Sequence, residues 1–238
     1  MTLRLQKFLA QCAVGSRRSC EYLITNGAVS VNGNLTTKLG TVVDPDKDIV
    51  CVNGKPIQKQ PLVYWLLNKP TGVVCSCKQD RKYQRVIDLI PDKDLRLYPA
   101  GRLDVESEGL VVITNDGHLC NIITHPKFGV TKEYDVWLDS SLSPEEQLKI
   151  SRGITIDDSY VARPQIKDVI PVNSACKIRL ELNEGRNREI RKMFAAINKT
   201  VLRLRRIRIG NIEIESLAYG DYRSLTPSEI EQLYRLGK

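Results

Sequence analysis

Apolar residues recur at Leu5, Phe8, Leu9 and Cys12, the i, i+3, i+4, i+7 spacing of one helix face, while Arg4, Lys7 and Gln11 fall on the other side. Ser16 follows as a candidate N-cap, Cys20, Leu23 and Ile24 form a second stripe, and Gly27 stops it. The period then changes from helical to alternating. Ala28-Val-Ser-Val31 leads into Asn32-Gly33, and Ile49-Val-Cys-Val52 leads into Asn53-Gly54; both dipeptides are tight-turn signals. Residues 1 to about 55 therefore predict two helices followed by a small hairpin sheet. Lys55-Pro-Ile-Gln-Lys-Gln-Pro61, polar and with two prolines, reads as a linker.

Beyond the linker, short strands alternate irregularly with a few helices. Leu62–Leu67 predicts a buried strand ended by Asn68-Lys-Pro-Thr-Gly72, and Leu110–Thr114 a second strand. Leu119–Thr124 predicts a short helix, Val130–Leu138 a strand, Pro144–Arg152 a helix and Lys177–Leu182 a strand. Ile190, Met193, Phe194 and Ile197 make the buried stripe of a further helix, with Arg188, Arg191 and Lys192 on an adjoining face. In Val201–Ile209 the alternation changes phase after Arg205, which predicts a bulge near 205–206. The succession is not a regular βαβ array, so the class is α+β. We expect a small helix-helix-hairpin domain over 1–60 and, over 61–238, a larger, mainly antiparallel sheet domain with flanking helices.

The 238 residues carry a formal charge of +8, which points to a polyanionic partner, most simply nucleic acid. The excess is concentrated. Residues 1–60 hold eight Lys or Arg against four acids, and residues 184–208 hold nine against two. No stretch approaches the roughly 18 apolar residues of a membrane span. Seven scattered cysteines, an odd number, suggest a reducing compartment and no disulfide framework. Neither they nor His118 and His125 show zinc-ligand spacing, so no metal is expected. Residues 1–20 lack acids and carry Arg4, Lys7, Arg17 and Arg18, as a mitochondrial presequence would, but they lie within the predicted helices. A cytoplasmic monomer is the expectation.

Candidate chemistry centres on Gly101-Arg-Leu-Asp-Val-Glu-Ser-Glu-Gly-Leu110. In extended backbone Arg102 and Asp104 share a face, and the guanidinium could hold the carboxylate ionised and oriented. Such an aspartate is a usable nucleophile. For an arbitrary Arg-x-Asp, a surface salt bridge in a turn is the better reading.

Gly101-Arg-Leu-Asp104 followed by Ser107-Glu-Gly-Leu-Val-Val-Ile-Thr-Asn-Asp-Gly117 resembles the catalytic-aspartate signature of the RNA pseudouridine synthases. Asn68-Lys-Pro-Thr-Gly72, Lys132-Glu-Tyr-Asp-Val136 and Glu184-Gly followed by Asn187-Arg-Glu-Ile-Arg-Lys-Met193 resemble further signatures, in the family's order. Leu5-x-Lys-Phe-Leu9, Ser16-Arg-Arg18, Ile24 and Gly27-x-Val-x-Val-Asn-Gly33 resemble the RNA-binding domain first seen in the fourth small-subunit ribosomal protein.

The resemblance implies a ribosomal RNA uridine-to-pseudouridine isomerase that needs no cofactor, closest to the branch acting on large-subunit RNA. It makes Asp104 the catalytic group, Arg191 its ion-pair partner, and Tyr134 the residue stacked on the base and a candidate for proton transfer. Leu204 would pack under the flipped base and Arg102 would fill its vacancy. Lys69, Arg186 and Arg188 would contact RNA, as would Arg4, Lys7, Ser16, Arg17 and Arg18 in the first domain. The substrate is ribosomal RNA, free or within an assembly intermediate. The rival reading is a non-catalytic assembly factor on the same fold, which would not require Asp104, Tyr134 and Arg191 together. An RNA-cleaving enzyme would want a histidine pair that is not suggested here.

Overall fold

A computed structural model of the chain describes residues 2–157, 160–172 and 175–237. They form two compact units: the chain up to Leu62 with Asp94–Arg96, and Val63–Lys93 with Leu97 onward.

In the first unit, helices Leu5–Gln11 and Arg17–Thr25 close over Leu5, Phe8, Leu9, Cys20, Ile24, Val29, Val43 and Val50. Ser16 caps the second helix, its Oγ accepting from the Ser19 N–H at 3.1 Å. The four-stranded sheet runs Asn34–Leu35, Val29–Val31, Val50–Val52, Lys55–Pro56. Asn32-Gly33 and Asn53-Gly54 make its two tight turns, all four residues at positive φ, as twist-matched hairpin turns require. A short pairing of Leu3–Arg4 with Val42–Val43 has no counterpart in the sequence pattern.

The second unit is built on one mixed sheet. Its order is Gln165–Val172, Ala175–Leu182, Lys132–Leu138, Val201–Ile209, Glu108–Thr114, Tyr64–Lys69, Tyr222–Ser224, with Tyr98–Ala100 paired alongside Glu108–Thr114. Within it only the pairing of Glu108–Thr114 with Val201–Ile209 is parallel. All seven residues of Glu108–Thr114 are buried, which explains an apolar run where a one-sided strand would alternate. Helices Gly117–Thr124 and Pro227–Arg235 set Leu119, Ile122, Ile123 and Leu233 against Leu66, Leu110 and Val112. The strand expected over 62–67 in fact runs Tyr64–Lys69 and takes in Asn68 and Lys69, both fully buried. Their polarity suggests a strand end; their side chains instead find backbone partners inside.

Strand Val201–Ile209 is irregular twice. Its register against Lys132–Leu138 slips between Glu133 and Tyr134 and again between Trp137 and Leu138, leaving Ile207 and Leu202 as the extra residues. The bulge expected near 205–206 therefore lies at Ile207, with a second at Leu202. Together they keep Val201, Leu204, Arg206 and Ile209 buried while Leu202 is exposed.

Gly109 makes the parallel pairing possible. Its φ is +106°, and a Cβ there would stand 2.2 Å from the Arg206 carbonyl oxygen and 2.6 Å from its nitrogen. Backbone cannot yield as a side-chain tip can. Gly109→Ala is expected to cost roughly 3 kcal/mol or more, from overpacking and left-handed strain together, and to lower the midpoint of a thermal melt by about 10 °C. A melt within 2 °C of the parent would show that the two strands are not held this closely.

Candidate active site

The second unit contains a cavity of about 760 Å³ lined by Arg102, Asp104, Tyr134, Leu204 and Arg206 together with the 185–190 segment. Asp104 stands in the turn between Tyr98–Ala100 and Glu108–Thr114, entered through Gly101 at φ +91° and closed by the Ser107 N–H donating to the Asp104 carbonyl at 3.0 Å. The turn is pinned from below. Lys69, fully buried, donates through Nζ to the carbonyls of Ser107 (2.6 Å), Pro70 (2.9 Å) and Val105 (3.4 Å). Gly72 N–H donates to Val105, and Leu103 N–H reaches Cys75 Sγ at 3.4 Å. Burial draws the Lys69 ammonium down to about 8, against the opposing pull of Cys75, Asp104 and Glu108.

Among the described residues the Asp104 carboxylate has no hydrogen-bond or ion-pair partner. It is a fixed acid facing a cavity with its oxygens uncommitted. Tyr134 and Leu204 are both about nine-tenths or more buried and come from adjacent strands, in register as Tyr134 with Arg206 and Val136 with Leu204. Both side chains line the cavity together with Asp104.

Residues 63–196 match the RNA pseudouridylate synthase family, and residues 3–49 match the S4 domain. Over 98% of its length the chain is 38% identical to ribosomal large subunit pseudouridine synthase B of Bacillus subtilis (strain 168), of which 96% is covered. The chain belongs to the RNA pseudouridylate synthase family. An RNA pseudouridine synthase of Aquifex aeolicus (strain VF5) is 35% identical over 99% of this chain and 95% of its own. A crystal structure of a pseudouridylate synthase superposes with a TM-score of 0.68 at 32% identity, covering 97% and 99% of the two chains.

The arrangement of the synthase differs from the sequence reading at three places. Arg191 does not pair with Asp104: Nη1 donates to the Val201 carbonyl at 2.8 Å and Nε lies 3.6 Å from Glu106. Arg188 reaches the same Glu106 carboxylate at 3.0 Å, so Glu106 ties the Asp104 turn to helix Glu189–Ala195. Arg188 stands just before the helix as its N-cap, at φ +53°, so it is the shared Glu106 and not helical spacing that brings it beside Arg191. Lys69 is the second correction. It has no exposed surface to offer a phosphate, and its ammonium holds backbone carbonyls of the turn.

The third concerns the basic window 184–208. Arg203 pairs with Glu108 at 2.6 Å, Arg208 with Glu133 and Glu181, Lys192 with Asp157, and Lys199 with Glu146. Arg206 is buried, and Arg186 lies over the Tyr160 ring at 3.5 Å. The acids that neutralise this run come from distant strands, so a charge count over a sequence window overstates the free positive surface. In the first unit the reverse holds. Arg4, Ser16, Arg17 and Arg18 are exposed, Lys7 lies half-buried on the first helix, and among the described residues none of the four cations has an ion pair.

Lys132, Arg206 and Glu189 receive no site role in the sequence reading, although Lys132 and Glu189 lie within family signatures. Lys132 and Arg206 line the cavity, both more than nine-tenths buried. Burial, reinforced by the Arg206 charge and opposed by Glu189, brings Lys132 down to about 8. Glu189 accepts from the Tyr160 hydroxyl at 3.2 Å and the Arg186 N–H at 2.8 Å. The available signal was phase. Lys132 shares the face of Tyr134, and Arg206 the face of Leu204. Among the described residues no His, Cys, Asp or Glu cluster could hold a metal, and no helix is long and apolar enough to cross a membrane.

Proposed function

We propose that the synthase converts a uridine of ribosomal RNA, in the large subunit, to pseudouridine with Asp104 as the nucleophile. The observation that carries this reading is the Asp104 carboxylate, unpartnered at the cavity wall on a turn braced by buried Lys69. Large-subunit RNA is favoured by the kinship with the Bacillus subtilis enzyme named for that subunit.

Extruding the target uridine from a helix costs a few kcal/mol. Arg102, exposed at the cavity mouth, occupies the vacated place, and Tyr134 and Leu204 hold the base. Asp104 attacks the sugar or triggers elimination there, the uracil detaches and turns, and its C5 rejoins C1′. Arg191 acts through Glu106, holding the turn in place. Residues 1–60 dock the RNA through Arg4, Lys7, Ser16, Arg17 and Arg18, while 61–238 carry the chemistry. Arg186 adds a phosphate contact, and Arg188 adds another when RNA displaces Glu106. The setting is the cytoplasm, with a monomer acting on free RNA or on an assembly intermediate.

Because C5 exchanges its hydrogen for C1′, large-subunit transcripts labelled with tritium at uridine C5 should release one equivalent of label to solvent. Release from the small-subunit transcript alone would overturn the subunit assignment, and release from neither would overturn ribosomal RNA as the substrate.

A further inference from the structure

We propose that Arg206 contacts the uracil and stabilises the negative charge it carries when it leaves the sugar. The inference rests on the reading above, since it needs Tyr134 and Leu204 to hold the base. The cavity is imbalanced in charge. Arg206 is 3% exposed, Nε donates to the Leu110 carbonyl at 2.7 Å, and Nη2 is buried without an acceptor. Among the described residues no carboxylate lies within ion-pair distance of it. A buried guanidinium normally sits against an acid, because an unpaired charge held out of water is strongly disfavoured.

The neighbouring acids are committed elsewhere. Glu108 is held by Arg203, and Glu189 by Tyr160 and Arg186. Lys132 lines the same wall, so two buried cations share the cavity with the single uncommitted carboxylate of Asp104, while Lys69, under the turn, is spent on backbone carbonyls. Ser107 Oγ, also buried and unpartnered, lines the cavity as well. Among the described residues the site offers more buried donors than acceptors, which suits a substrate group that brings negative charge.

Position says which part of the substrate supplies it. Arg206 follows Leu204 by two residues on one strand face and lies directly across from Tyr134 in register. It therefore belongs to the wall that holds the base, not to the RNA backbone path. Whether Asp104 bonds to C1′ or induces elimination in the sugar, the C1′–N1 bond breaks with its electron pair retained by the uracil. That charge spreads from N1 over the ring carbonyl oxygens, which are acceptors for a guanidinium. When C5 bonds to C1′ and loses its proton, N1 regains one, so nothing is consumed. A donor that meets only weak carbonyl dipoles in the ground state and an anion afterwards lowers the barrier differentially.

The test compares leaving groups. Transcripts of both ribosomal RNAs are made with uridine or with 5-fluorouridine, whose base leaves as a less basic anion. Loss of the starting nucleoside is followed in single turnover for wild type, Arg206→Gln and Arg206→Lys, together with RNA affinity and a thermal melt. Arg206→Gln should slow the uridine reaction by about 100-fold or more, the scale of removing one donor to a developing anion. Affinity should stay within about threefold, the loss should shrink at least tenfold on the fluorinated RNA, and Arg206→Lys should fall between. If Arg206→Gln does not fold, the same contrast is read from Arg206→Lys. An equal loss on both bases overturns the proposal and makes Arg206 a support for Asp104 or the strand, as does a loss that lies in affinity. Wild type inactive on both RNAs would overturn the ribosomal RNA reading itself, and this proposal with it.

Discussion

Replacing Asp104 by asparagine should abolish pseudouridine formation while RNA affinity stays within a few-fold of wild type. The swap keeps size and shape and removes only the ionised oxygen. Among the described residues Asp104 holds no side-chain partner whose loss could unsettle the fold, and the turn around it is fixed by backbone carbonyls on Lys69. Loss of a nucleophile that acts in concert with its site typically costs several orders of magnitude in rate. Single-turnover conversion above a tenth of wild type would remove Asp104 from the role given to it.

The second large effect concerns docking. Deleting residues 1–60 should weaken binding to ribosomal RNA at least tenfold near 0.1 M salt and flatten the salt dependence. Each phosphate that is no longer neutralised takes roughly 0.7–0.9 from the log–log slope, so four cations account for about three units. The expectation is sharpened by where charges are free. Arg4, Lys7, Arg17 and Arg18 have no ion pair among the described residues, whereas Arg203, Arg208, Lys192 and Lys199 are answered by acids. The remaining unit has its own core, including Leu66, Leu110, Val112, Leu119 and Leu233, and should stay folded with slow turnover at high protein concentration. Unchanged affinity and slope in a salt titration would mean that residues 1–60 are not the anchor.

What could be read from the chain follows the range of the physics involved. Helices Leu5–Gln11, Arg17–Thr25 and Pro144–Arg152 were legible because stripes, caps and breakers are local, and the two Asn-Gly turns equally so. Family signatures drew attention to Asp104, Tyr134 and Leu204, and the fold gathers all three at one cavity. What stayed hidden was pairing across distance. No spacing shows that Glu106, not Asp104, meets Arg191, or that Lys69 reaches three carbonyls of the 70–107 region. The phase change at 201–209 signals a bulge, yet an unpaired residue can be absorbed at several positions, and the partner strand decides which. Strand phase puts Arg206 on the face of Leu204 but does not say how deeply it is buried. Its burial is set by Leu110 and Gly109 on a strand almost a hundred residues earlier.

We propose that this chain makes pseudouridine in large-subunit ribosomal RNA through Asp104. This is tested most directly by mapping pseudouridines at nucleotide resolution in ribosomal RNA from cells that lack the chain, then from the same cells given back either wild type or Asp104→Asn. At least one large-subunit pseudouridine should disappear on deletion, return with wild type and fail to return with the variant. A map unchanged by deletion, or restored by Asp104→Asn, would contradict the claim.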